Sequence, residues 1–281
     1  MRIANLAGRL VLVRAGRAVD VERASGGRFA ADPQAVYADW AAFRDWAATA
    51  GLPDGEPFET ADLGAPVPAP RQVFAIGLNY RDHAAESGFD APEGLPPVFT
   101  KFATALTGPV TDVVLPEGGH TDWEVELVAV IGETARNVAE ADGWDHVAGL
   151  TVGQDISERV SQLAGPAPQF SLGKSFPGFA PTGPWLVTPD EFADPGDLAL
   201  GSSVNGEQVQ KGRTRDLIFS VPVLVARLSA VLPLLPGDLV FTGTPAGVGL
   251  GRTPQRWLRP GDELVSHVEG IGELRQRFVT A

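Results

Sequence analysis

The sequence predicts a β-rich α+β fold, with a small N-terminal α/β segment over residues 1–68 and a larger sheet-rich unit over residues 69–281. Three observations predict it. After Arg71 the chain is dense in short apolar runs bounded by turn residues. Its 33 glycines and 24 prolines interrupt regular structure often, which disfavours long helices. Only a few stretches fit a helix with an apolar face at helical spacing.

The elements are justified in chain order. Leu10 to Val13 and Ala18 to Val21 flank Gly16 and predict a short β-hairpin. Pro33 to Ala50 predicts a helix, with Val36, Trp40, Phe43 and Trp46 on one face and Gly51 as its stop. Pro66, Pro68 and Pro70 mark an extended crossing between the two units. A segment of roughly 65 residues makes a marginal core by itself, so it is expected to pack on the larger unit. Strands are expected at Val73 to Ile76, Leu127 to Ile131, Leu150 to Val152, Trp185 to Val187, Leu239 to Phe241 and Leu264 to Val268. Asp142 to Trp144 suits a capped turn. Val221 to Leu232 is the clearest helix: Ser220 is its N-cap, Pro222 lies in its first turn, and Leu224, Leu228, Val231 and Leu232 form its stripe. No internal repeat is visible. The pattern is that of a barrel or sandwich with a few packed helices.

Composition excludes several classes of function. A net charge of −13 repels phosphate backbones and argues against a nucleic-acid partner. The absence of cysteine removes disulfides, zinc–thiolate sites and thiol nucleophiles. Met1 to Val13 lacks the apolar centre of a signal peptide. Val221 to Leu235, the most apolar stretch, is too short to cross a bilayer and holds Arg227 and two prolines. A cytoplasmic protein without a membrane partner is expected.

Five segments carry candidate chemistry. In the run from Asp122 to Gly132, Glu124 and Glu126 point to one face of a strand whose continuation is apolar on both faces. Two carboxylates so close repel unless a cation lies between them, and hard oxygen ligands select magnesium, manganese or calcium. The alternative is a solvated acidic strand end. Asp155 follows an apolar strand at a turn and is either a third ligand or an Asx-type cap. His83 and Glu86 stand one helical turn apart, which suits a general base oriented by a carboxylate, or else a surface pair. Lys174 lies among small and apolar residues, either as a buried oxyanion-stabilising cation or as a loop lysine. Thr242 to Gly249 is a glycine-rich turn without the Gly-Lys-Ser/Thr of a phosphate loop, so it does not bind nucleotides that way; its backbone N–H groups suit a carboxylate.

Taken together and in this order, these segments resemble the fumarylacetoacetate hydrolase family over about residues 71–279. The similar segments are Gly77-Leu78-Asn79-Tyr80 with His83 and Glu86, Lys101 to Gly108, Glu124-x-Glu126, Asp155-x-Ser157-x-Arg159-x-x-Gln162, Lys174, and Thr242-Gly243-Thr244-Pro245-x-Gly247-Val248-Gly249. The resemblance implies a mixed β-sandwich roll and a homodimer. It implies magnesium or manganese, with calcium as a substitute, at Glu124, Glu126 and Asp155. It assigns water activation to His83 and Glu86 on a mobile lid over residues 79–97, carbonyl polarisation to Lys174, and substrate contact to Arg159, Gln162 and Thr244. Pro177, Gln154 and Val160 depart from the family's usual Asp, Asn and Asp; they remove no ligand and bear on substrate identity.

The expected function is cleavage of a C–C bond in a small 2-oxo acid, as hydrolysis of an acylpyruvate or fumarylacetoacetate-like diketone or as decarboxylation of an oxaloacetate-like acid. Both pass through a metal-bound enolate. Isomerisation of a 2-hydroxy-dienedioate passes through the same species. It is one alternative, and a non-catalytic binding protein that keeps the fold is another. The fold does not choose among them.

Overall fold

The computed structural model describes all residues except 89, 91, 93 and 281. The chain opens with a three-stranded meander, Arg2–Leu6, Arg9–Arg14 and Arg17–Asp20. Its second turn places Ala15 and Gly16 at φ 47° and 72°, the double positive-φ turn whose twist suits a hairpin. The predicted hairpin is therefore present, with one further strand before it. Arg2–Leu6 also pairs antiparallel with Ala180–Val187, so the meander continues the main sheet.

That sheet runs from Arg17–Asp20 through Arg9–Arg14, Arg2–Leu6, Ala180–Val187, Val147–Gln154, Val125–Ile131, Leu239–Phe241 and Val73–Ile76 to Val98–Thr100. Leu239–Phe241 and Val73–Ile76 pair in parallel, which makes the sheet mixed. A second sheet of five strands runs in the order Glu207–Arg213, Ala199–Val204, Glu263–Val268, Gly272–Val279, Val110–Val114. The two sheets share an apolar core that includes Leu127, Leu150 and Val152 from the first and Leu200, Val268 and Leu274 from the second. The architecture is a sheet-rich α+β sandwich, and neither sheet closes into a barrel. Val125–Ile131 and Val147–Gln154 are buried at every position, as strands in the middle of a covered sheet must be. Leu150→Ala should cost about 2–5 kcal/mol, because the cavity it leaves cannot collapse between two sheets. Urea denaturation should show a lower midpoint at unchanged slope; a loss under about 1 kcal/mol would contradict this packing.

The helices correct two expectations. The stretch from Pro33 to Ala50 is not one helix. Ala35–Asp39 is a 3₁₀ turn, and the α-helix proper is Trp40–Thr49 after Asp39 departs to φ −137°. A 3₁₀ turn eclipses positions i and i+3. Here it stacks Tyr37 on Trp40 with ring centroids 5.6 Å apart, burying both rings against Phe43 and its neighbours. The second helix is Val221–Val231, with Ser220 at the N-cap position and Pro222 in the first turn, but the Ser220 hydroxyl makes no capping bond. Its buried face is Val221, Leu224, Val225, Leu228 and Ser229. Val231, expected in the stripe, is the last helical residue and 63% exposed; Leu232 has already turned extended. Asp142 to Trp144 lie in a 3₁₀ helix, Glu140–His146. No helix among the described residues is long and apolar enough to cross a membrane.

Candidate active site

Two neighbouring strands assemble the centre of the site. Glu126 lies in Val125–Ile131 and pairs with Gly153, and Glu124 immediately precedes the strand. Asp155 immediately follows Val147–Gln154, and its N–H donates to the Glu124 carbonyl at 2.9 Å. Antiparallel register therefore brings Asp155 opposite Glu124, with Glu126 two residues on and on the same face. Each of Glu124, Glu126 and Asp155 offers an oxygen within 4.8 Å of the others, and all three residues are buried.

Cations surround two of these carboxylates. Lys174 donates to Glu124 Oε2 and Asp155 Oδ2, both at 2.7 Å. Arg159 Nη2 lies 2.7 Å from Glu124 Oε1 and also donates to Asp122 Oδ2. Lys101 donates to Asp155 Oδ1 at 2.5 Å and to the Lys174 carbonyl. Glu126 has no cationic partner among the described residues; the Gly243 N–H donates to its Oε2 at 2.8 Å. The electrostatics reflect this asymmetry. Burial pushes the Glu124 carboxyl up, but Lys174 and Arg159 outweigh it and hold the group well below the usual range. Burial, with the charges of Asp155 and Glu124, pushes the Glu126 carboxyl well above it. Burial works against the Lys174 ammonium, yet Asp155 and Glu124 raise its pKa.

The oxygen-only donor set fits a hard divalent cation. Four buried carboxyl groups, Asp122, Glu124, Glu126 and Asp155, face three buried basic side chains, Lys101, Lys174 and Arg159, and burial outweighs Asp155 to lower the Lys101 pKa. Glu126 is the carboxyl group that lacks a counter-charge among the described residues. A cation held by Glu124, Glu126 and Asp155 would supply one.

The His83–Glu86 pair is formed. Arg81–Glu86 is a short helix, and His83 Nδ1 lies 2.8 Å from Glu86 Oε1. His83 is 7% exposed. Glu86 also accepts the Gly247 N–H through both oxygens, at 3.1 and 2.9 Å. The helix is thus docked on the glycine-rich turn. Gly247 must be glycine: its φ is 112°, and a Cβ there would stand 2.1 Å from the Val209 carbonyl. Of the segment 79–97, expected to act as a lid, residues 89, 91 and 93 lie outside the described residues.

The remaining predicted residues are near but differently engaged. Gln162 accepts from Arg159 Nη1 at 2.9 Å, and its amide nitrogen makes no bond among the described residues. Thr244 donates to the Val125 carbonyl and accepts from Gln210 Nε2, so its hydroxyl braces the carboxylate strand. Gln154 accepts from the Glu124 N–H and donates to Ser266. Sequence reasoning assigns Lys101 no role. The signal is available: the chain has three lysines, and this one follows the apolar strand Val98–Thr100. In the sequence, Asp122 marks only the start of the acidic run.

The chain is similar to known proteins. Residues 72–279 match the model of the fumarylacetoacetate hydrolase C-terminal domain. The chain belongs to the fumarylacetoacetate hydrolase family. It is 46% identical to 2,4-didehydro-3-deoxy-L-rhamnonate hydrolase of Sphingomonas sp. strain SKA58, over 80% of this chain and 78% of that one. It is 42% identical to the mitochondrial oxaloacetate tautomerase FAHD2A of Homo sapiens, over 76% and 68% of the two chains. Among solved structures, a Mycobacterium smegmatis protein described as HpcE-like superposes with a TM-score of 0.96 at 57% identity, each chain covered in full. Maleylpyruvate hydrolase of Sphingobium sp. SYK-6, solved with manganese(II) and pyruvate, superposes with a TM-score of 0.81 at 32% identity, again over both whole chains. Members of this family with hydrolase and tautomerase names thus share the fold that builds this site.

Proposed function

We propose that the protein is a divalent-metal-dependent enzyme that cleaves a C–C bond of a small 2-oxo acid, either hydrolysing an acylpyruvate-like diketone or decarboxylating an oxaloacetate-like acid. The observation that carries this reading is the buried carboxylate triplet, with Glu126 lacking a counter-charge, beside a formed His–Glu pair and a buried lysine. A divalent ion at Glu124, Glu126 and Asp155 would supply a Lewis acid for the carboxylate and keto oxygens of the substrate.

The chain's own residues account for the rest. In the tautomer with the proton on His83 Nδ1, that N–H donates to Glu86, which also accepts from Gly247. Nε2 is then left as the proton acceptor, the state a base for water requires. The Lys174 ammonium, kept charged by Glu124 and Asp155, stabilises an oxyanion developing beside them. Gln162 offers a free amide donor for orienting the substrate. Burial of the whole set keeps bulk water from the reacting atoms. The hydrolase name of the Sphingomonas relative and the pyruvate bound in the Sphingobium structure support the substrate class. The human relative's name supports a second reading, proton transfer in the same 2-oxo acid without bond cleavage.

The test is to incubate the enzyme with acylpyruvates and oxaloacetate in the presence of magnesium or manganese and to follow products by NMR. Cleavage products that disappear after chelation and return with metal are expected. Tautomer exchange alone would select the second reading, and the absence of both turnover and metal binding would overturn both.

The reading includes a homodimer. Phe102, Val160, Leu163 and Leu172 leave large apolar side chains exposed on adjoining segments beside the site. Sedimentation showing only monomer at micromolar concentration would remove this element.

A further inference from the structure

We infer that Asp122 is a positioning residue that ties the docking turn of the His83 helix to the carboxylate cluster. The inference rests on the function proposed above for what the two arms do, but not for the coupling itself.

Asp122 is fully buried, and its two oxygens serve five donors. Oδ1 accepts from the N–H groups of Trp123 at 2.8 Å and Gly249 at 2.6 Å. Oδ2 accepts from the Leu250 N–H at 3.0 Å, and from Arg159 Nε and Nη2 at 2.9 and 2.7 Å. One carboxylate thus holds a backbone turn and a guanidinium at once.

Each contact leads to a different arm of the site. Arg159, fixed by Asp122, spends Nη2 on Glu124 and Nη1 on Gln162. A planar guanidinium has no freedom to re-aim one nitrogen when the others are held. The position of Asp122 therefore sets that of the Glu124 carboxylate and the Gln162 amide. The second arm runs through the turn. Gly249 and Leu250 are fastened from below by Asp122, while Gly247 donates to Glu86 from the same turn. The fit is close on both sides. A Cβ at Gly249 would stand 2.8 Å from Asp122 Oδ1, and one at Gly251 would stand 2.9 Å from Glu86 Oε2. Glu86 in turn fixes His83. Asp122 is the residue common to both chains of contacts, although it is not one of the three grouped carboxyl residues.

Asp122→Asn preserves size but exchanges an acceptor oxygen for a donor NH2. Whichever way the amide lies, it faces N–H groups, so some bonds to the turn or to Arg159 are lost. Hydrogen exchange followed by mass spectrometry, on the full-length protein without added metal, should show faster exchange at residues 81–88 and 247–251. The strand Val125–Ile131 should keep its protection. Turnover should fall about 10- to 100-fold, the usual range for a partner behind the reacting groups, and kcat should change more than KM. Arg159→Lys cuts only the first arm, so it should lower turnover without loosening residues 81–88. Unchanged exchange at 81–88 in Asp122→Asn would overturn the coupling. So would loss of protection throughout Val125–Ile131, which marks a merely structural role. If Asp122→Asn does not fold, Asp122→Glu takes its place. It keeps the carboxylate but shifts it by one methylene from the Gly249 and Leu250 N–H groups, and should loosen residues 81–88; their continued protection would overturn the proposal. The exchange readout needs no substrate, so failure of the proposed reaction would be seen separately, as absent turnover in the wild type.

Discussion

Glu126→Gln should abolish high-affinity divalent-metal binding while leaving the metal-free fold at least as stable as the wild type. Glu126 is buried without a cationic partner among the described residues, so the fold gains nothing from its charge. The amide keeps the shape and can still accept the Gly243 N–H. Glu124→Gln makes the opposite case. It strips a counter-charge from Lys174 and Arg159, and breaking buried pairs of this kind costs about 3–5 kcal/mol. Both variants should lose manganese affinity by more than the about 10- to 100-fold typical of residues behind the ligands. Only Glu124→Gln should melt lower in chelator. Titration calorimetry with manganese and thermal denaturation in chelator separate the two effects. A Glu126→Gln protein that binds manganese like the wild type would remove Glu126 from the ligand set.

His83→Ala should lower kcat by about 100-fold or more, the upper part of the usual contribution of a positioned base. Metal affinity should stay nearly unchanged, since His83 is not one of the three grouped carboxylate residues. The variant removes the imidazole but leaves Glu86 on Gly247, so the turn should remain closed. Full activity of His83→Ala on the best substrate would assign proton transfer elsewhere, to the metal-side groups and Lys174.

Part of this site is legible in the sequence for a definite reason. Glu124, Glu126 and Asp155 are separated by strand periodicity or stand at a strand end, and alternation alone puts two of them on one face. His83 and Glu86 share one helical turn. Those are local rules. The residues that local rules miss act across the sheet order. Gln210 accepts from the N–H of Val125 and donates to Thr244, yet it comes from a strand of the second sheet. Asp122 reaches Arg159 and Leu250 through the fold. Scarcity alone could single out Lys101, but not its partner Asp155, 54 residues away. At the fold level, the strands are legible because their apolar runs are short and bounded. The break at Asp39 is not, since Trp40 and Phe43 lie on one helical face in either geometry.

Glu124 and Glu126 owe their common face to a period of two, and this carries a constraint on how the gene can change. Inserting or deleting one residue between Glu124 and Ile131 would move part of the strand to the opposite face. An acid would then enter the core shared with Leu150 and Leu200, or valine side chains would line the site. Substitutions can be absorbed here one at a time, but a change of length cannot. Descendants of this chain that keep the metal-site chemistry should therefore differ in length in surface turns such as 116–119 and 164–168, and align without gaps from 122 to 131.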